Sequence, residues 1–194
     1  MVIGNDLYDE NKLDRMDTSA PLQCREIVRS DDIEALASLV RAAYAPHAAE
    51  GLRYWGTHQT VEDTKKRYAS GTGLIGSMDG HVVATLVLCR PDPLSEVDTF
   101  RDPTTWKFNQ FAVRPELKGR GIGRQLHEFA LAYAYERGCR RMALDTAAPA
   151  EGLIALYTAW GYSVVGTCDW RPFTNYPSVV MAKELTAGLV RHAV

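Results

Sequence analysis

The stretch Lys118-Gly119-Arg120-Gly121-Ile122-Gly123-Arg124 sets three glycines among three cations. Glycines at this spacing let the backbone close on a ligand, and Ile122, Leu126, Phe129 and Tyr133 recur behind them at helical spacing. The unpaired N–H groups then lie at the positive end of a helix dipole, so the chemistry on offer is anion binding, with a phosphate as the expected guest. Two common phosphate motifs fail on spacing. A P-loop needs a lysine followed by Ser or Thr, and a dinucleotide fingerprint needs a glycine where Arg124 or Leu126 stands.

The elements that would position this loop are legible on both sides. Phe111 and Val113 alternate at strand period, and Pro115 ends that strand. Upstream, a strand fits Leu22 to Val28, and Asp31 with Glu34 predicts the start of a helix carrying Ile33, Leu36, Val40 and Tyr44 on one face. Residues 46–59 read as a connection between helices, either partly buried or a substrate lip with His47, Tyr54, Trp55 and His58. Thr60 with Asp63 predicts the next helix cap. Asp79-Gly80 between two apolar runs predicts a hairpin, because both turn positions require positive φ. Residues 91–105, rich in Pro, Asp, Ser and Thr, read as a long surface loop.

After the glycine-loop helix, Gly138 is placed as its terminator, and a strand follows over 140–146. A short helix over about 149–160 puts Leu153, Leu156, Tyr157 and Trp160 on one side and ends at Gly161. Two strands near 162–168 and 179–185 close the chain. The expected fold is α/β (α+β): a mixed, mostly antiparallel sheet of about six to seven strands flanked by helices. Residues 1–20 read as a loosely ordered arm and residues 21–194 as a single domain.

Composition narrows the partners. A formal net charge of −2 over 194 residues gives no support for nucleic-acid binding, so the basic loop is a local feature. Cys24, Cys89, Cys139 and Cys168 have neither CxxC spacing nor a nearby histidine, which points to free thiols in a reducing cytoplasm and to no metal. No stretch approaches the roughly 20 apolar residues of a membrane helix, so a soluble, cytoplasmic protein is expected.

Gln110-Phe111-Ala112-Val113-Arg114-Pro115-Glu116-Leu117-Lys118-Gly119-Arg120-Gly121-Ile122-Gly123 resembles the acyl-CoA-binding motif of the GNAT superfamily of N-acetyltransferases, with Lys118 where Arg or Gln is usual. Leu156-Tyr157-Thr158-Ala159-Trp160-Gly161-Tyr162 resembles that family's second signature, in the expected order. The resemblance covers about residues 23–185. It implies acetyl-CoA as co-substrate, with Phe111, Ala112 and Val113 serving the pantetheine arm and Lys118, Gly119, Arg120, Gly121, Gly123 and Arg124 the phosphates.

It also implies an acetyl group moved by direct attack of a primary amine of a small molecule or peptide, with Tyr157 as general acid. A phenol stays protonated at neutral pH, which suits that role. Many relatives carry a catalytic Glu where Asn109 stands, and an Asn where Ala150 stands. Asp145 is the nearest carboxylate by topology, to be read as base or as a turn carboxylate. Trp170, Phe173, Asn175 and Tyr176 would border the acceptor, either as an aromatic pocket or as packing. Dimers are common in the family. The alternative is a non-catalytic acyl-CoA-binding or sensing module.

Overall fold

The computed structural model describes residues 16–190. Seven strands form one sheet in the order β1-β2-β3-β4-β5-β7-β6. They are β1 Gln23–Glu26, β2 Thr72–Met78, β3 His81–Cys89, β4 Thr105–Val113, β5 Arg141–Ala147, β6 Ser163–Asp169 and β7 Pro177–Glu184. Among the described residues only the β4–β5 pairing is parallel, across the crossover that the glycine-loop helix makes. The expected arm lies mostly outside the described residues; of the rest, Met16 is buried in the core beside Leu74 and Met78, and the Asp17 N–H donates to Asp79 Oδ2 at 3.1 Å.

Helices cover both faces. Helix α1 (Ile33–Ala49) and α2 (Val61–Ala69) lie on one face, where Leu36 and Tyr68 meet Ile75 and Val87, and Leu39, Val40 and Ala43 meet Ala112. Helix α3 is a single turn, Asp98–Arg101. Helix α4 (Ile122–Glu136) covers the other face, setting Leu126, Ala130 and Leu131 among Leu74, Leu86, Leu88, Phe108, Met142 and Leu144. Helices α5 (Glu151–Ala159) and α6 (Ala187–Val190) complete the set. Because both faces are covered, the middle of β3 reads Val-Ala-Thr-Leu-Val-Leu without polar alternation, every one of these residues buried.

Local chemistry accounts for most boundaries. Asp79 (φ 48°) and Gly80 (φ 75°) make the expected tight hairpin. Thr60 and Asp63 form a reciprocal cap: the Asp63 N–H donates to Thr60 Oγ1 at 3.0 Å and the Thr60 N–H to Asp63 Oδ2 at 2.9 Å. Thr60→Ala is expected to cost about 1 kcal/mol, seen as a fall in melting temperature of roughly 2–4 °C.

Three expectations are corrected. The cap of α1 is Asp32, one residue later than predicted, because the Asp31 carboxylate is taken by Arg25 and by the Val28 N–H. Helix α1 runs through Pro46 to Ala49; one proline removes one ladder bond, and Leu39, Val40 and Ala43 anchor the helix on the sheet. The 91–105 segment is no simple solvated loop, since it contains α3, whose Phe100 is only 2% exposed and packs on Ala143, Val180 and Ala182.

Candidate active site

The site begins where β4 and β5 part. They pair only at Thr105–Arg141, Trp106–Met142 and Lys107–Ala143. Beyond Lys107 the facing edges separate into a cleft of about 1050 Å³. One cause is an extra residue in β4: Val87 faces Asn109 and Thr85 faces Ala112, so two steps along β3 answer three along β4. This is a bulge, and Gln110 takes a left-handed φ of 52° there. The Arg114 N–H donates to Val83 O on β3 at 2.9 Å, so by strand alternation the Val113 N–H points into the gap.

The glycine loop forms one end of the cleft. Gly119 and Gly121 adopt φ 79° and 80°, which side chains rarely tolerate, and Gly121 is the N-cap of α4. The first intrahelical bond of α4 is Gln125 N–H to Gly121 O at 3.0 Å, leaving the N–H groups of Ile122, Gly123 and Arg124 without helical partners. Gly123 holds the helix against β4: a Cβ there would lie 3.3 Å from Val113 Cγ2. Of the three cations, Arg124 lines the cleft and pairs with Glu128 at 2.8 Å. Lys118 lines it too, but its Nζ donates to Ala43 O of α1 at 3.0 Å. Arg120 lines instead a small second cavity beside Thr18 and Pro21 and is not among the cleft-lining residues.

Tyr157 projects from α5 at the middle of the cleft. Its ring packs against Phe108, Trp160 and Tyr162 at 5.9, 5.9 and 6.0 Å. Its hydroxyl has no hydrogen-bond partner among the described residues and opens on the cleft. Burial, with Tyr44 and Tyr54 nearby, pushes that phenol above its ordinary pKa, so it stays protonated. Leu156, expected on the packed side of α5, is 40% exposed and lines the cleft mouth. Ala150 is the N-cap of α5 and has no side-chain cap.

Asp145 sits within β5 and is neither a cap nor a turn residue. Lys107 and Ala143 are opposite in register, so Lys107, Asn109 and Asp145 share the face of the sheet toward α1 and α2. The Trp170 indole donates to Asp145 Oδ2 at 2.9 Å. Burial raises the Asp145 pKa above the usual carboxylate range, against the opposing pull of that hydrogen bond, Lys107 and Arg67. Asn109 donates to Cys89 Sγ at 3.4 Å and leaves its own Oδ1 buried without a partner.

Aromatic rings wall the far end. Tyr44, His47, Tyr54 and Tyr176 form a chain with centroids 5.0–5.9 Å apart, and Trp55 and Phe173 meet at 6.3 Å. Of the expected acceptor residues, Tyr54, Trp55, Trp170, Phe173 and Tyr176 line the cleft. His58 does not: it stacks on Trp55 and lies beside Thr57 Oγ1 at 3.1 Å. Asn175 ties two loops together, accepting from the Arg53 N–H at 2.8 Å and donating to Gly51 O at 2.7 Å.

Sequence reasoning missed Gln59, Arg67, Lys107 and Gln110 as cleft residues. Gln110, 4% exposed, has both amide atoms buried without partners. Two adjacent amides between aromatic residues of one strand, Phe108-Asn109-Gln110-Phe111, were the available signal. Eight buried side-chain polar atoms lack hydrogen-bond partners among the described residues, and six belong to cleft-lining residues: His47, Gln59, Arg67, Asn109 and, twice, Gln110. Buried polar groups are normally satisfied, so the cleft is built for a polar occupant. No group of three or more potential metal ligands occurs among the described residues, and no helix of theirs is long and apolar enough to cross a membrane.

The half-open sheet, the glycine loop at a helix N-terminus and the tyrosine facing it define an acetyltransferase fold of the GNAT type. The profile of the acetyltransferase (GNAT) family matches residues 34–162, and the chain belongs to that family. A curated relative, the mycothiol acetyltransferase of Propionibacterium freudenreichii subsp. shermanii, is 26% identical over 143 residues, 72% of this chain. The match spans only 42% of that relative's length. Among solved structures, a GNAT family acetyltransferase from Elizabethkingia anophelis with acetyl-CoA bound superposes with a TM-score of 0.63 at 15% identity, over 84% of this chain and 98% of that one. The yncA protein of Salmonella typhimurium, with its cofactor acetyl-CoA, gives a TM-score of 0.62 at 18% identity over 86% and 95%.

Proposed function

We propose that this protein transfers the acetyl group of acetyl-CoA to an amine of a small molecule or peptide, by direct attack within the β4–β5 cleft. The observation that carries the reading is that one continuous cleft joins an anion-binding glycine loop to a free tyrosine hydroxyl and a buried carboxylate. That two solved structures of the same fold carry acetyl-CoA supports the reading.

The N–H groups of the first turn of α4 and the Arg124 guanidinium hold the pyrophosphate, where helix dipole and glycine geometry favour a dianion. The pantetheine arm lies along Phe111, Ala112 and Val113, using backbone groups that β5 no longer takes. The Val113 N–H stands beside the thioester carbonyl and stabilises the oxyanion as the amine adds. The new N–C bond forms as the C–S bond breaks, the ammonium proton leaves, and Tyr157 supplies a hydrogen bond or proton to the departing thiolate. Asp145 takes the amine proton, directly or through water; its raised pKa makes it a better base near neutral pH than an ordinary carboxylate. A single domain over residues 21–194, working in the cytoplasm, carries these groups.

Acetyl-CoA at about 100 times its Kd should add roughly 2.7 kcal/mol of stability, and a thiol-reactive dye should report CoA released on an amine panel. The absence of both stabilisation and thiol release would overturn the reading. The second reading, an acyl-CoA-binding module without turnover, draws on Asn109, which cannot take a proton. Tight binding with no thiol release on any amine favours it.

A further inference from the structure

We propose that the acceptor amine carries a carboxylate of its own, as an amino acid does, and that Arg67 together with Lys107 receives it. This rests on the acetyl-transfer reading and narrows its acceptor class. Arg67 reaches the cleft from α2, and its buried Nε has no partner; its guanidinium enters no hydrogen bond or ion pair among the described residues. Lys107 reaches it from β4 at the last residue pair before the strands part, with its Nζ over the Phe100 ring at 4.5 Å.

Asp145 does not neutralise them. Both cations are near enough to pull its pKa downward, yet neither lies within the 4.0 Å of an ion pair, and the carboxylate is already held by Trp170. Arg67 and Lys107 therefore set two positive charges near one carboxylate at the walled end of the cleft, that of Lys107 answered in part by the Phe100 ring and that of Arg67 by no ion pair among the described residues. Uncompensated charge in a half-buried site is costly, and an anionic group on the ligand relieves it. The arginine fork matches a carboxylate in a way that no neutral amine requires.

The remaining orphans suit the other half of an amino acid. Gln59 Oε1 and Asn109 Oδ1 are buried acceptors without donors, and both residues line this end. An amine N–H supplies such donors, while the aromatic wall of Tyr44, Tyr54, Trp55 and Tyr176 suits an apolar side chain. Cations, acceptors and apolar wall thus correspond to carboxylate, amine and side chain.

The test pairs L-alanine, L-leucine, L-phenylalanine and L-tryptophan with their carboxamides and follows CoA thiol release. The best free acid should exceed its carboxamide in kcat/KM by about tenfold or more, the effect of one charge-assisted contact. Arg67→Gln should abolish that preference by raising KM for the free acid about 10- to 100-fold, with the carboxamide and acetyl-CoA changed less than about threefold; Arg67→Lys should recover part of it. Equal rates on acid and amide, or an equal loss on both in Arg67→Gln, overturns the proposal. If no amine is turned over, the transfer reading fails, and calorimetry with CoA and the N-acetyl forms of the same pairs decides this one. Binding of the N-acetyl acids but not the amides, lost in Arg67→Gln, supports it; binding without discrimination, or none, overturns it.

Discussion

Tyr157→Phe is expected to lower kcat on the order of 10²-fold while leaving the Kd for acetyl-CoA and the fold almost unchanged. The variant removes one oxygen. The ring contacts with Phe108, Trp160 and Tyr162 survive, and because the hydroxyl has no partner among the described residues, stability should move by no more than about 0.5 kcal/mol. What disappears is the donor to the departing thiolate, a contribution of the size usual for a positioned acid. Stopped-flow or steady-state thiol release, with calorimetry for CoA, separates the two quantities. Loss of both in equal measure would mark Tyr157 as a packing residue.

Asp145→Asn should also cost on the order of 10²-fold in kcat, and it should do so while making the protein more stable at neutral pH. The sign follows from the direction of the shift. Burial raises the folded-state pKa of Asp145 above its unfolded value near 3.9, so the folded chain holds this proton more tightly than the unfolded one. Below that range both states are protonated, and wild type and variant should be equally stable. As pH rises through the folded pKa, the wild type must ionise a buried carboxyl, and it loses stability that the amide keeps. The amide oxygen still accepts from the Trp170 indole. Urea unfolding of both proteins at about pH 4 and pH 7.5 checks this; a variant that is the less stable at pH 7.5 would contradict it. The acid limb of the kcat/KM profile should vanish in the variant if Asp145 takes the amine proton.

The legible parts of this protein were those set by short-range chemistry. Asp79-Gly80 reads as a hairpin because positive φ at two successive positions has few solutions, and Thr60 reads as a cap because Asp63 answers it three residues on. The glycine loop and Tyr157 were legible for the same reason, since each is a local pattern attached to a long helix or a short one. Illegible were the features that depend on what lies across the sheet. Pro46 stays helical because Leu39, Val40 and Ala43 hold the helix to β4, a fact outside its own window. The segment around Phe100 looks like loop until Ala143 and Val180 are placed beneath it. Lys107 becomes a neighbour of Asp145 through the parallel register of β4 and β5, and Arg67 only because α2 packs on that same face of the sheet. The bulge at Gln110 leaves a trace in composition, an amide pair within a strand, but nothing in the sequence alone says which residue turns.

The parting of β4 from β5 also bears on how the molecule holds together. Among the described residues, three residue pairs make the strand ladder between β4 and β5, and a continuous core on the α4 side running from Leu74 to Met181, with the contacts of Tyr54, Phe100 and Asn175 on the other, supplies further bonds between strands β1–β4 and β5–β7. A ligand laid along the open edges would add hydrogen bonds where the sheet has fewest, so its binding energy becomes shared between two otherwise separable units of structure. The cleft is then a seam as well as a container, and occupancy should tighten the amides on both of its banks together.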